Sequence, residues 1–216
     1  MFHPTLLAPC SAPRPAPVDP GALRRRLRGA TAEAHGTLDQ RFAALTDPAE
    51  RQAYRAFLRM NEACHAVLEG WLAGAGAGDA SLVPAEVAAL RRPLAAELAS
   101  DVAAAGLARL AREPLEACLA GLGRGLPEAT GVVYVLDGSR LGARMILKGW
   151  SRRQDGSEPA IAYLTAAAAA SGPVFAAFDA LSARLDPCDV ERTAAAAHAA
   201  FKLFERASAL TDGPAP

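Results

Sequence analysis

Gly131-Val-Val-Tyr-Val-Leu-Asp-Gly138-Ser-Arg-Leu-Gly142-Ala-Arg-Met-Ile-Leu-Lys-Gly149-Trp150 is the stretch on which the fold turns. Val132-Val133-Tyr134-Val135 alone favours a strand, because β-branched and aromatic side chains suit a pleated surface. The longer window reads as a helix. Pro127-Glu128 supplies a start signal, with proline tolerated in the first turn and an acid favoured there. The glycines recur at i, i+7, i+11 and i+18, spacings that place all four on one side of a helix. A helical glycine costs about 1 kcal/mol relative to alanine, so a face made of them implies something that comes close to the backbone. Close helix–helix packing and a flat ligand both satisfy that requirement, and spacing does not choose between them.

Working outward, the same helical logic covers the chain. Asp19-Pro20 is an N-cap followed by proline, and Leu23, Leu27, Ala30, Ala34 and Leu38 repeat at helical spacing, predicting a first helix to about Ala44. Thr46-Asp47-Pro48 repeats the signal, and Tyr54, Phe57, Leu58, Asn61, His65 and Leu68 carry a second helix to about Leu72. Short helices are expected near Pro84, from Pro93 to about Leu110, and from Pro114 to Leu122. The long glycine-bearing helix follows, then a loop at residues 154–159, a helical segment broken at Gly172-Pro173, and a last helix opened by Asp186-Pro187. The expectation is an all-α, single-domain multi-helical bundle over residues 19–210 with roughly seven to nine helices. A disordered proline-rich tail (Pro4, Pro9, Pro13, Pro15, Pro17) is expected over residues 1–18, and a flexible end over 211–216.

Composition narrows the function. Lys+Arg and Asp+Glu each total 23, so a neutral chain offers no electrostatic footprint for nucleic acid or an anionic membrane. No apolar run is long and pure enough to span a bilayer, and the first residues lack the pattern of a secretory signal. Cys10, Cys64, Cys118 and Cys188 form no CxxC and no zinc spacing. Together these lead to the expectation of a cytoplasmic protein without nucleic-acid or membrane partners. No nucleotide-binding glycine fingerprint occurs, so any electrons must come from outside.

Of four histidines, His3 lies in the tail, His65 shares a face with Asn61 and Leu68 and reads as a hydrogen-bonded core residue, and His198 borders the apolar stripe of the last helix. His35 lies in Leu27-Arg28-Gly29-Ala30-Thr31-Ala32-Glu33-Ala34-His35. A single axial ligand needs no second motif, so spacing cannot mark it.

That stretch, with Leu38 and Phe42 after it, resembles the proximal helix of heme oxygenases. Tyr134-Val-Leu-Asp-Gly138-Ser-Arg-Leu-Gly142 resembles their distal helix, above all the version in bacterial enzymes that supply biliverdin to phytochromes. The order and the separation of about a hundred residues agree as well, and the likeness in helix layout extends over residues 20–208. It implies a heme oxygenase-like fold. It also implies heme as substrate and cofactor, His35 as the proximal iron ligand, Arg28 on a propionate, and Gly138, Ser139 and Gly142 over the other heme face. The implied reaction opens the heme ring with O2 and electrons from a ferredoxin or reductase. Its products are biliverdin, carbon monoxide and ferrous iron, with a bacterial phytochrome as an acceptor of the bilin chromophore.

The chain departs from the family pattern in three places. Ser139 stands where many members carry an aspartate, Ala143 where a further glycine often follows, and Val174-Phe-Ala-Ala-Phe-Asp-Ala180 lacks the late basic residues that reach propionates in other members. These departures keep a second expectation open, a heme carrier or sensor without turnover.

Overall fold

The structure, a computed structural model, describes residues 16–47, 50–74, 81–150, 160–169 and 173–212. Ten α-helices occur among them, with three short 3-10 turns and no strand. The protein is all-α. The helices are α1 (Pro20–Ala30), α2 (Ala32–Arg41), α3 (Arg51–Ala73), α4 (Ala85–Ala88), α5 (Ala95–Ala104), α6 (Glu113–Glu116), α7 (Leu126–Trp150), α8 (Ala162–Ala169), α9 (Ala176–Ser182) and α10 (Val190–Leu210). The expected loop at 154–159, the tail before residue 16 and the end after 212 lie outside the described residues.

The count exceeds the seven to nine expected, mainly because the first helix is two. Asp19 caps α1 as its sequence foretells, its carboxylate accepting from the Gly21 and Ala22 N–H groups. Thr31 then leaves helical geometry at φ −110°, and its hydroxyl donates to the Leu27 carbonyl at 2.9 Å. Such back-bonding competes with the helical ladder, and the chain re-enters a helix one residue later. α3 starts at Arg51, later than Asp47-Pro48 suggested, and ends at Gly74, whose positive φ of 76° makes the left-handed cap that glycine adopts without strain. Pro187 opens a 3-10 turn closed by a capping box between Asp186 and Asp189, and α10 follows directly.

The core gathers on α10, α3 and α7. Ala196, Ala197 and Ala200 form a buried small-residue stripe on α10, flanked by Leu203 and Phe204. Small side chains let a neighbour come close, and α7 uses the opportunity at Gly131, beside the buried Val132, Val133 and Leu136. Burial of such aliphatic groups stabilises by roughly 1.5–3 kcal/mol each.

α10 also sets the level of its neighbours. Along α1 and α2, Arg26 pairs with Glu191, the His35 ring lies 5.7 Å from that of Phe201, and Arg41 pairs with Asp212. Along α7, Glu128 accepts two hydrogen bonds from Arg192, Gly131 abuts Thr193 and Ala197, and Ser139 meets His65, whose ring faces Phe204. Numbers rise together in both series, so α1–α2 and α7 both run parallel to α10. His35 and Gly138 therefore stand at one level along it.

Candidate functional site

The four-glycine face of α7 divides into two parts. At buried Gly131 an added Cβ would overlap the Thr193 carbonyl oxygen and lie 2.8 Å from the Ala197 nitrogen and 2.9 Å from the Ala196 Cβ. This glycine serves close helix packing against α10. Gly138 is half-buried, with nothing nearer to its Cβ position than the tip of Phe175 at 4.0 Å, and Gly142 is exposed with nothing within 4 Å. Close packing explains one end of the stripe, and open space remains at the other. Beside that space Leu141 and Met145 are exposed, Met145 at 68%.

His35 is 58% exposed, and its Nδ1 lies 2.8 Å from the Asp39 carboxylate one turn on. With Nδ1 held, Nε2 is the nitrogen left to bind a metal, and the carboxylate fixes the ring's orientation. The i,i+4 spacing of His35 and Asp39 was the signal for this brace, which the sequence reading passed over. Thr31, a turn before His35, lies beside the phenol of Tyr134, a turn before Gly138. The Arg28 guanidinium lies near the same phenol and forms no ion pair among the described residues. Arg24 is engaged, pairing with Asp179 at 3.3 Å and lying over the Phe175 ring. Tyr134 stacks on Phe175, which brings α9 against the glycine helix with aromatic rather than basic residues.

Behind the glycine face lies a buried polar chain. His65 is 1% exposed, as a hydrogen-bonded core histidine should be, with Nδ1 at 2.9 Å from Glu69 and Nε2 at 3.5 Å from the Ser139 hydroxyl. Glu69 also accepts from the Leu94 and Ala95 N–H groups. Burial works to raise its pKa, but the hydrogen bonds and charge of His65 and the two amides outweigh it and hold the carboxyl below its ordinary value. Ser139 is half-buried and donates to the Leu136 carbonyl at 2.7 Å. The Tyr163 hydroxyl beside Ser139 is buried without a well-formed hydrogen bond. One residue before Gly138, Asp137 is buried and pairs with Arg91 at 3.5 Å. Burial pushes its carboxyl up to about 6, against the pull of Arg91, Arg140 and the Phe178 N–H. Its side chain faces α9 and the Arg91 segment, and it does not replace an acid at position 139.

Of the sequence-predicted site residues, Arg28 lies near Tyr134 and Gly138 faces Phe175, while His35 sits against Phe201 of α10. Ser139 turns its hydroxyl to the Leu136 carbonyl and the His65 ring, and Gly142 and His198 are exposed. No group of three or more His, Cys, Asp or Glu side chains able to hold a metal occurs among the described residues. Residues of these types could serve a flat, apolar molecule with a central metal and an anionic edge. His35 would meet the metal, the uncovered backbone at Gly142 would admit the ring, and Arg28 would pair with the edge. A scan against models of known protein families finds no match to the chain, and neither does a search of curated proteins. No helix among the described residues is long and apolar enough to cross a membrane.

Proposed function

We propose that the chain is a heme oxygenase, opening heme to biliverdin, carbon monoxide and ferrous iron with O2 and electrons from a ferredoxin or reductase. The observation that carries this reading is the pairing of a braced, exposed His35 with the uncovered glycine face at the same level along α10. Heme is the substrate and supplies the iron at which oxygen is activated. The protein's own residues bind, orient and exclude. His35, steadied by Asp39, fixes the plane of the ring and its distance from α7. Arg28 neutralises an edge carboxylate and so limits rotation of the ring about the His35 axis. Gly138 and Gly142 leave room above the ring for a diatomic molecule, and the tip of Phe175 bounds that room on the α9 side. Ser139, next along the helix, keeps its hydroxyl on the Leu136 carbonyl behind that face. Biliverdin would then pass to an acceptor such as a bacterial phytochrome.

Hemin titration tests the reading, followed by reductant in air, with His35→Ala in parallel. A Soret band that decays as a biliverdin band grows, absent in the variant, is the expected result. A second reading, a heme carrier or sensor, is favoured by Ser139 standing where many heme oxygenases have aspartate. It predicts a Soret band that never converts. No Soret band at all overturns both.

A further inference from the structure

Arg55, Arg59 and Glu62 follow one another at i, i+4 and i+7, so α3 carries them on one face. The segment between α5 and α6 lies along that face. The Arg55 guanidinium donates to the Ala105 carbonyl at 3.2 Å, and that of Arg59 to the Ala108 carbonyl at 2.9 Å. One turn further, Glu62 meets Arg109 at 3.4 Å and Arg112 at 3.2 Å, both through the same oxygen, Oε1. Four guanidinium groups from two segments thus gather around a single carboxylate. We propose that this cluster binds an oligophosphate anion, free or carried on a small molecule. The site shares no residue with the glycine face or with α1–α2, and it does not rest on the heme reading.

Three observations carry it. The charge is local: the chain balances at 23 cations and 23 acids, yet here four positive groups meet one negative group. Glu113 and Glu116 of the adjoining α6 pair with none of the four among the described residues. The arginines are open to solvent. The side chains of Arg109 and Arg112 are 55% and 42% exposed, Arg55 is exposed and Arg59 partly so, and an anion reaches them without disturbing the core. The arginines are also held in place. Arg55 and Arg59 are tied to main-chain carbonyls, and Arg109 and Arg112 to a carboxylate that is itself buried. The second oxygen of Glu62 is buried with no hydrogen bond, so the bonding of this carboxylate is committed to the two cations.

Each contact uses one nitrogen of its guanidinium and leaves two for a ligand. A loose surface arginine gives up side-chain freedom when it grips an anion, which offsets much of the gain. A tethered arginine has already lost that freedom. The planar fork of donors matches phosphate oxygens. From Arg55 to Glu62 the row spans seven residues, about 10 Å at the helical rise. A single phosphate meets one or two forks, whereas a chain of phosphoryl groups engages the whole row.

The test is calorimetric titration of the heme-free full chain at fixed ionic strength with orthophosphate, pyrophosphate, tripolyphosphate and citrate. Saturable one-to-one binding is expected, at least about tenfold tighter for tripolyphosphate than for orthophosphate. Arg59→Met and Arg112→Met should each weaken it by about tenfold. Arg25→Met, an exposed position on α1 outside the cluster, should leave it unchanged. Melting temperatures are recorded for each variant, and Arg109→Met, the more exposed of the Glu62 pair, covers a variant that fails to fold. Adenosine diphosphate is compared with pyrophosphate: tighter binding identifies the carried form, equal or weaker binding the free one. Absence of saturable tripolyphosphate binding overturns the proposal. So does an equal loss in Arg25→Met, or citrate binding as tightly as tripolyphosphate. None of these outcomes touches the heme reading.

Discussion

Gly131→Ala and Gly142→Ala make the same chemical change on one face of one helix, and the structure predicts opposite signs. Each gains about 1 kcal/mol of helix propensity. At Gly142 nothing lies within 4 Å of the new methyl, so the gain is kept. At Gly131 the methyl runs into main-chain atoms of α10, the Thr193 carbonyl and the Ala197 nitrogen, which cannot turn aside as a side-chain tip does. Overpacking of this kind costs about 1–3 kcal/mol and sometimes more, so the net effect is a loss of up to about 2 kcal/mol. For a domain of this size each kcal/mol moves the melting temperature by roughly 2–4 °C. Gly142→Ala should melt about 2–4 °C higher than the wild type and Gly131→Ala as much as about 8 °C lower, read by circular dichroism and repeated in urea. Hemin titration adds a second axis: Gly142→Leu, whose side chain fills the space assigned to heme under the proposed function, should weaken hemin binding at least tenfold while remaining folded. Equal stability for the two alanine variants would refute the division of the glycine face, and undiminished hemin affinity in Gly142→Leu would refute its use.

Asp39→Asn removes the carboxylate that braces His35 and should weaken hemin binding by about 10–100-fold with a folded baseline; unchanged affinity would make the brace irrelevant. Asp137, ordinarily near 3.8 and pushed up to about 6 when folded, binds its proton more tightly in the native state. Its contribution therefore favours the fold below about pH 4 and is lost as pH rises to about 6. Asp137→Asn should flatten that part of the stability profile in urea titrations from pH 4 to 7, and a profile parallel to the wild type would contradict the assignment. Tyr54→Phe removes the 2.7 Å bond to the Ala160 carbonyl and should cost about 1 kcal/mol in the same assay.

Much of the architecture was legible because helix signals are local. Asp19-Pro20 caps as read, the last helix follows its proline, and the glycine-bearing window is helical despite its valines. The break at Thr31 was not legible, since Ala30, Ala34 and Leu38 keep their period across it and only a hydroxyl returning to Leu27 marks the gap. At the site, the Asp39 brace was present in the spacing and went unread. The difference between Gly131 and Gly142 could not be read at all. It depends on α10, some sixty residues later, lying against one and not the other. The meeting of His65 with Ser139, seventy-four positions apart, is hidden for the same reason.

Because α1–α2 and α7 both take their level from α10, the order of synthesis matters. A ribosome releases His35 and the glycine helix well before residues 190–210, and until those emerge neither has the surface that aligns it with the other. The levels of the two are therefore matched only after α10 docks. A chain stopped before residue 190 would carry every residue of the candidate site and yet lack the site.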